Sequence, residues 1–200
     1  MHTADDIKSF LRHLVNYLGK GYRSYLVVRI PPKKMRPDKK AAVLKKITQN
    51  YQTNLTRSQR AYAKSKGFAN FGAVNYRDIV VILHTKGKIK PEIGMPKGFT
   101  SFNEKSSLNL KISPYLELIV FLDERKRVTV RLSRETIADF KEEMMKAFKS
   151  EDGRHFHTTL TRFSNLPVYR GIFMQKKVLH SWLVKKKKAF GVKWNLPKNL

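Results

Sequence analysis

Near the start of the chain, apolar residues recur at spacings of three and four: Ile7, Phe10, Leu11, Leu14 and Leu18. That period predicts an amphipathic helix over 4–18. Thr3 stands at the N-cap position with Asp6 three residues on, and Gly19 and Gly21 follow as stops. An apolar, β-branched run at 26–30, led in by Ser24 and Tyr25, predicts a strand that Pro31 and Pro32 end. After a basic loop at 33–36, Asp38 is placed to cap a helix over 39–50 that turns Val43, Leu44, Ile47 and Tyr51 inward. A further helix is predicted over 57–66, stopped by Gly67. Strands follow over 68–75 and 79–85, joined by a turn at Asn75-Tyr76-Arg77-Asp78. Every position from 79 to 83 is apolar, so that strand is expected at the centre of a sheet, covered on both faces.

Residues 86–107 show no period and hold Gly87, Pro91, Gly94, Pro96 and Gly98, which predicts a long loop. A short strand at 108–112 precedes the clearest hairpin, 116–122 with 127–132, turning at Asp123-Glu124-Arg125-Lys126. Ser133 caps a helix over 134–149 with Ile137, Phe140, Met144 and Phe148 on one stripe and Glu135 in the first turn. Residues 155–163 predict another strand. Pro167 then precedes a last helix, 169–188, with Ile172, Phe173, Leu179, Trp182 and Leu183 inward. Hairpins separated by helices indicate an α+β fold: a single mixed, largely antiparallel sheet covered by helices. The expected organisation is one domain, 1–188, and a basic tail, 189–200, that holds Phe190, Trp194 and Pro197.

Charge changes the picture from fold to function. The net charge is +27, from 42 Lys+Arg against 15 Asp+Glu. No acid lies between Lys39 and Arg77 or from Gly153 to Leu200, while nine of the fifteen acids sit between Glu117 and Asp152. Ordinary solvated surfaces intersperse both signs, so two acid-free basic blocks point to a polyanionic partner. With 41% hydrophobic residues the chain can bury a core, which excludes a disordered polycation. The absence of cysteine excludes disulfides, thiolate zinc fingers and a cysteine nucleophile. The first residues lack the charged-then-apolar pattern of a secretory signal, and the longest apolar stretch, around Leu116–Leu122, is too short to span a bilayer. An intracellular protein without a membrane partner is expected. A membrane-surface binder concentrates lysine on one helix with a strong apolar face; here the charge spreads over several elements among aromatics, which favours nucleic acid.

Arg57, Arg60 and Lys64, at i, i+3 and i+7, share a helix face on which successive phosphates can be engaged. Lys33, Lys34, Arg36, Lys45, Lys46 and Lys66 extend this block. Arg170, Lys176, Lys177, Lys185, Lys186, Lys187, Lys188 and Lys193 form a second one on the last helix and tail. Tyr62, Phe71 and Tyr76 are candidate platforms for unpaired bases. No helix-turn-helix, basic zipper, RNA-recognition-motif signature or GXXG clamp is present. Lysine-rich cover over an α+β core favours backbone and shape recognition of RNA over DNA, within a ribonucleoprotein or mobile-element system, with 117–152 as a face for a protein partner or self-association.

The alternative is a metal-dependent endonuclease or nickase. His155-Phe156-His157, if on a strand, would point both imidazoles the same way. That triplet resembles the metal-holding pair of HUH nickases and transposases, with Tyr169 or Tyr115 as the nucleophile the resemblance requires. Glu124-Arg125-Lys126, with Asp78, Glu104 or Glu117, is similar to the acid-x-Lys site of restriction-type nucleases. Only this alternative calls for a cofactor, a divalent metal; a binding protein needs none.

Overall fold

The computed structural model describes residues 1–93 and 98–196. Residues 94–97 of the expected loop and 197–200 of the expected tail lie outside them. The fold is α+β, with strands distributed between two sheets rather than one. The chain groups into two units, Met1–Ser107 with Leu122–Val128, and Leu108–Phe121 with the chain from Thr129 on.

The first unit is built on a five-stranded sheet in the order β1 (His2–Thr3), β3 (Phe71–Tyr76), β4 (Ile79–Thr85), β2 (Tyr22–Arg29), β5 (Thr100–Ser101). Only β1 pairs in parallel, Thr3 opposite Asn75; the rest is antiparallel, with Val81 between Val74 and Val27. β4 therefore has neighbours on both sides, and its residues from Ile79 to Leu83 are buried, as their unbroken apolar run requires. Alternation then sorts the side chains between two helices. Phe71, Ala73, Val80, Ile82 and Ile30 meet Ile47 of α2 (Pro37–Asn50). Gly72 and Tyr76 face α1 (Ile7–Gly19), where Phe10 lies 5.6 Å from the Tyr76 ring and Tyr17 covers Gly72 so closely that a Cβ there would meet its ring at 2.5 Å. Asp6, not Thr3, caps α1: its carboxylate accepts from Ser9 N at 2.7 Å, while Thr3 is spent on the sheet.

α3 (Arg57–Ser65) begins with a full capping box, Thr56 and Gln59 each accepting from the other's backbone N–H. It buries little besides Ala63. The chain after it starts β3 later than the pattern predicts, because 67–69 are bonded instead to Lys88: Lys88 N donates to Gly67 O at 2.8 Å and Ala69 N to Lys88 O at 2.9 Å. Gly87 permits this clasp. Its φ is +143°, and a Cβ would stand 2.6 Å from Ala69 N. Gly87→Ala is expected to destabilise this unit by about 2–3 kcal/mol, read from a lowered denaturation midpoint at unchanged slope. A midpoint equal to that of the unmodified protein would refute the clasp.

The second unit holds a three-stranded sheet, β6 (Leu108–Ser113), β7 (Leu116–Leu122) and β8 (Val128–Leu132), with α4 (Arg134–Lys149), α5 (Gly153–Ser164) and α6 (Arg170–Phe190). Ser133 caps α4 as expected, accepting from Thr136 N at 3.1 Å. The N-terminal part of α6 lies directly on edge strand β8. Gln175 exchanges two hydrogen bonds with the Leu132 backbone, at 2.8 and 2.9 Å, so a side chain closes the open strand edge. Only glycine fits at 171 in this approach, since a Cβ would meet Val130 O at 2.5 Å.

Residues 153–164 are helical, which corrects the strand predicted over 155–163. Asp152 accepts from His155 N at 2.9 Å as N-cap, and Phe156, Thr159, Leu160 and Phe163 are buried at helical spacing. The apolar stripe at helical spacing and the Asp152 cap decide for a helix. The start of the expected tail is also packed: Phe190 and Trp194 stack on Phe148, each at 5.5 Å, and Trp194 lies 4.9 Å from Phe156.

Candidate functional site

In the first unit, the basic block is carried by a short 3₁₀ turn, Pro32–Lys34, followed by α2 and α3. Met35 packs against the core while Lys33, Lys34 and Arg36 beside it are exposed. On α2, Ile47 faces the sheet and Lys45 and Lys46 face away. On α3, Arg57 and Lys64 are exposed, and Lys66 follows as its C-cap. Among the described residues, none of these cations is ion-paired with a carboxylate.

Arg60 does not join them. Its guanidinium donates to Thr53 O at 3.1 Å, and its own carbonyl accepts from Asn70 Nδ2 at 3.0 Å. Burial pushes the Tyr17 and Tyr22 hydroxyls up, and the charge of Arg60 acts the other way on both. The i, i+3, i+7 face is therefore two outward cations and one that ties α3 to the turn preceding it.

Of the three candidate aromatic platforms, Phe71 and Tyr76 belong to the core. Tyr62 is 66% exposed, with Lys66 Nζ 5.7 Å from its ring centre. It lines a groove of about 550 Å³ with Leu55, Ser58, Gln59, Phe68 and Lys90–Glu92. The sequence placed Tyr62 on a helix but did not show this groove, whose far wall is brought up by the Gly87 clasp.

In the second unit, α6 separates neighbouring lysines. Lys176 is 3% exposed and donates to Ser164 O at 2.7 Å and Leu166 O at 3.4 Å; it is a structural residue, not part of a cationic surface. Lys177 is exposed, 4.6 Å over the ring of Phe173, a residue expected inward but 41% exposed. Arg170, Lys185, Lys188 and Lys193 are exposed, and Lys186 and Lys187 are half-buried. The segment expected as a protein-contact face, 117–152, contributes Asp139, Phe140, Glu142, Glu143 and Lys146 to a groove of about 560 Å³ that Tyr115, Arg162 and Phe163 complete.

The histidine pair loses its geometric premise with the strand. Residues two apart on a helix are turned about 200° from each other, so His155 and His157 share no face. His155 Nε2 instead lies 3.0 Å from Glu143 Oε2, and His157 is exposed. The Glu143 carboxyl is held below the ordinary carboxylate range, chiefly by a hydrogen bond from Lys146, with His155 adding to it. Tyr169 serves as N-cap residue of α6. Of the acid-x-Lys alternative, Asp78 is paired with Arg29 at 2.6 Å, while Glu104 does meet Lys126, at 3.0 Å, as an exposed ion pair. Asp123 organises the hairpin turn, accepting from the backbone of Arg125 and Arg127 at 2.9 Å, and those bonds hold its carboxyl below the usual range. Among the described residues, no group of three or more His, Asp or Glu side chains is arranged to hold a metal ion. Nor is any described helix long and apolar enough to cross a membrane.

Comparison of the chain with family models, with curated proteins and with solved structures finds no match.

Proposed function

We propose that the chain binds nucleic acid, RNA in preference to DNA, as a component of a ribonucleoprotein or mobile-element system. The observation that carries the reading is the exposed cationic surface of the first unit: Lys33, Lys34, Arg36, Lys45, Lys46, Arg57, Lys64 and Lys66, unpaired with carboxylates among the described residues. Cations held on helices bring fixed positive charge to a partner without first breaking ion pairs of their own. A phosphate backbone repeats its charge and releases counterions on contact, so it gains more from such a surface than a compact anion does. The exposed cations of α6 are a further face for the same chemistry, in the second unit. Lysine dominates both sets, which suits backbone tracking more than base-edge reading in a major groove. The binding role invokes no cofactor.

Fluorescence anisotropy over a salt series tests this. With single-stranded RNA, duplex RNA and duplex DNA, log K is expected to fall linearly with log salt, by roughly 0.7–0.9 per phosphate contacted. A slope of several phosphates, with RNA bound more tightly than DNA near 0.15 M salt, is the expected result. Binding that is weak at low salt and gone at physiological salt would refute the reading and leave an acidic protein as the partner.

A further inference from the structure

We infer that the groove beside α3 receives an unpaired base of a single-stranded RNA segment, stacked on Tyr62. This rests on the nucleic-acid reading and names the part of the partner that the first unit recognises.

α3 is nearly all surface. Its buried contact is Ala63, and the large ring one position earlier is left 66% exposed. An exposed tyrosine alone is unremarkable, but this one forms a wall. Leu55, Ala63, Phe68 and Pro91 supply apolar floor and sides, and the space of about 550 Å³ is open to solvent and roomy for a flat ring. The polar lining is sparse and suited to a base edge. Gln59 uses its side-chain carbonyl in the capping box, accepting from Thr56 N at 2.8 Å, which leaves its NH₂ to donate. Glu92 is an acceptor for base amino or imino hydrogens and repels phosphate. A phosphate inside the groove is thereby disfavoured, and an uncharged ring is favoured.

The rim has the opposite character. Lys66 sits against the Tyr62 ring, and Lys90, whose ammonium donates to Gln52 Oε1 at 3.3 Å, lines the groove, so positive charge stands beside the place where the ring would enter. Arg57 and Lys64 stand about 140–160° round α3 from Tyr62, and the positions between them on the exposed side are Ser58, Ala61 and Ser65. Small side chains leave a backbone free to cross the helix from Arg57 and Lys64 to the groove. An apolar pocket with Lys66 and Lys90 at its edge fits a nucleotide, apolar in its ring and anionic at its flanking phosphates, better than it fits an apolar peptide. Only a strand with splayed bases can use it, since a base within a duplex has both faces covered.

The test uses the full chain with a short single-stranded RNA carrying 2-aminopurine and with the blunt duplex of the same sequence. Tyr62→Ala is expected to weaken single-strand binding about tenfold, the loss of one stacked base. The salt slope and duplex affinity stay unchanged, because no phosphate contact is removed. Tyr62→Phe keeps the ring and stays within about twofold of the unmodified protein. The unmodified protein quenches 2-aminopurine on binding and Tyr62→Ala does not. Circular dichroism checks that both variants are folded. If Tyr62→Ala binds and quenches as the unmodified protein does, the groove is not a base site, although the nucleic-acid reading stands. If the unmodified protein binds neither RNA, both proposals fall.

Discussion

Replacing Arg57 and Lys64 together by glutamate is expected to weaken RNA binding on the order of a hundredfold near 0.15 M salt. Counterion release sets the size of this loss. A slope of about 0.7–0.9 per phosphate, extrapolated from 1 M to about 0.15 M salt, gives each contact roughly a fourfold to fivefold share of the affinity. Two lost contacts account for about a fifteen- to thirtyfold loss, and two carboxylates facing the same phosphates add repulsion. The salt slope itself should fall by about 1.5–2. Both side chains are exposed on one side of α3, so folding should be spared. The control is Lys8→Glu with Lys149→Glu, two exposed lysines on α1 and α4 that change net charge by the same amount. If the control loses as much affinity as the α3 pair, net charge and not this helix face drives binding.

The second large effect is on stability, and it sets apart two adjacent lysines. Lys176→Ala is expected to cost about 3 kcal/mol, whereas Lys177→Ala should cost under about 0.5 kcal/mol. Lys176 spans from α6 to the end of α5, where the carbonyls of Ser164 and Leu166 have no further turn of helix to bond them. Its ammonium serves as their donor and complements the negative end of that helix. Truncation removes the donor and leaves a void where the aliphatic stem packed. In a chain of this size the melting midpoint should drop by about 6–12 °C. Lys176→Met separates the two causes, since it keeps most of the stem and loses the charge. Equal midpoints for the Lys176→Ala and Lys177→Ala variants would overturn the structural role assigned to Lys176.

Much of the architecture was legible because apolar period and caps agree. The helix at Arg134–Lys149, capped by Ser133, and the unbroken run at Ile79–Leu83 were predicted from those signals and are found as such. Where two local signals compete, tertiary packing selects between them. At 153–164 the Phe156, Leu160 and Phe163 stripe has helical spacing, and the strand expected over 155–163 was the premise of the paired-histidine site. At the first helix, Thr3 and Asp6 both qualify as caps, and pairing of Thr3 with β3 settles the choice. The division into two sheets carries no local mark at all, because strand partners are selected by long-range pairing.

The amino-acid order alone marks a basic α+β protein, most of its helices and strands, and the blocks that lack acids. Those properties follow from local propensity, period and charge count. Which charges are available depends on packing. Arg60 and Lys176 were indistinguishable from their neighbours as letters. Packing turned one toward Thr53 and the other onto the carbonyls at the end of α5, because a buried carbonyl takes whatever donor the fold brings within reach. Tyr62 reached the surface for the converse reason: α3 offers the core a small side chain, Ala63, and its large ring is left outside.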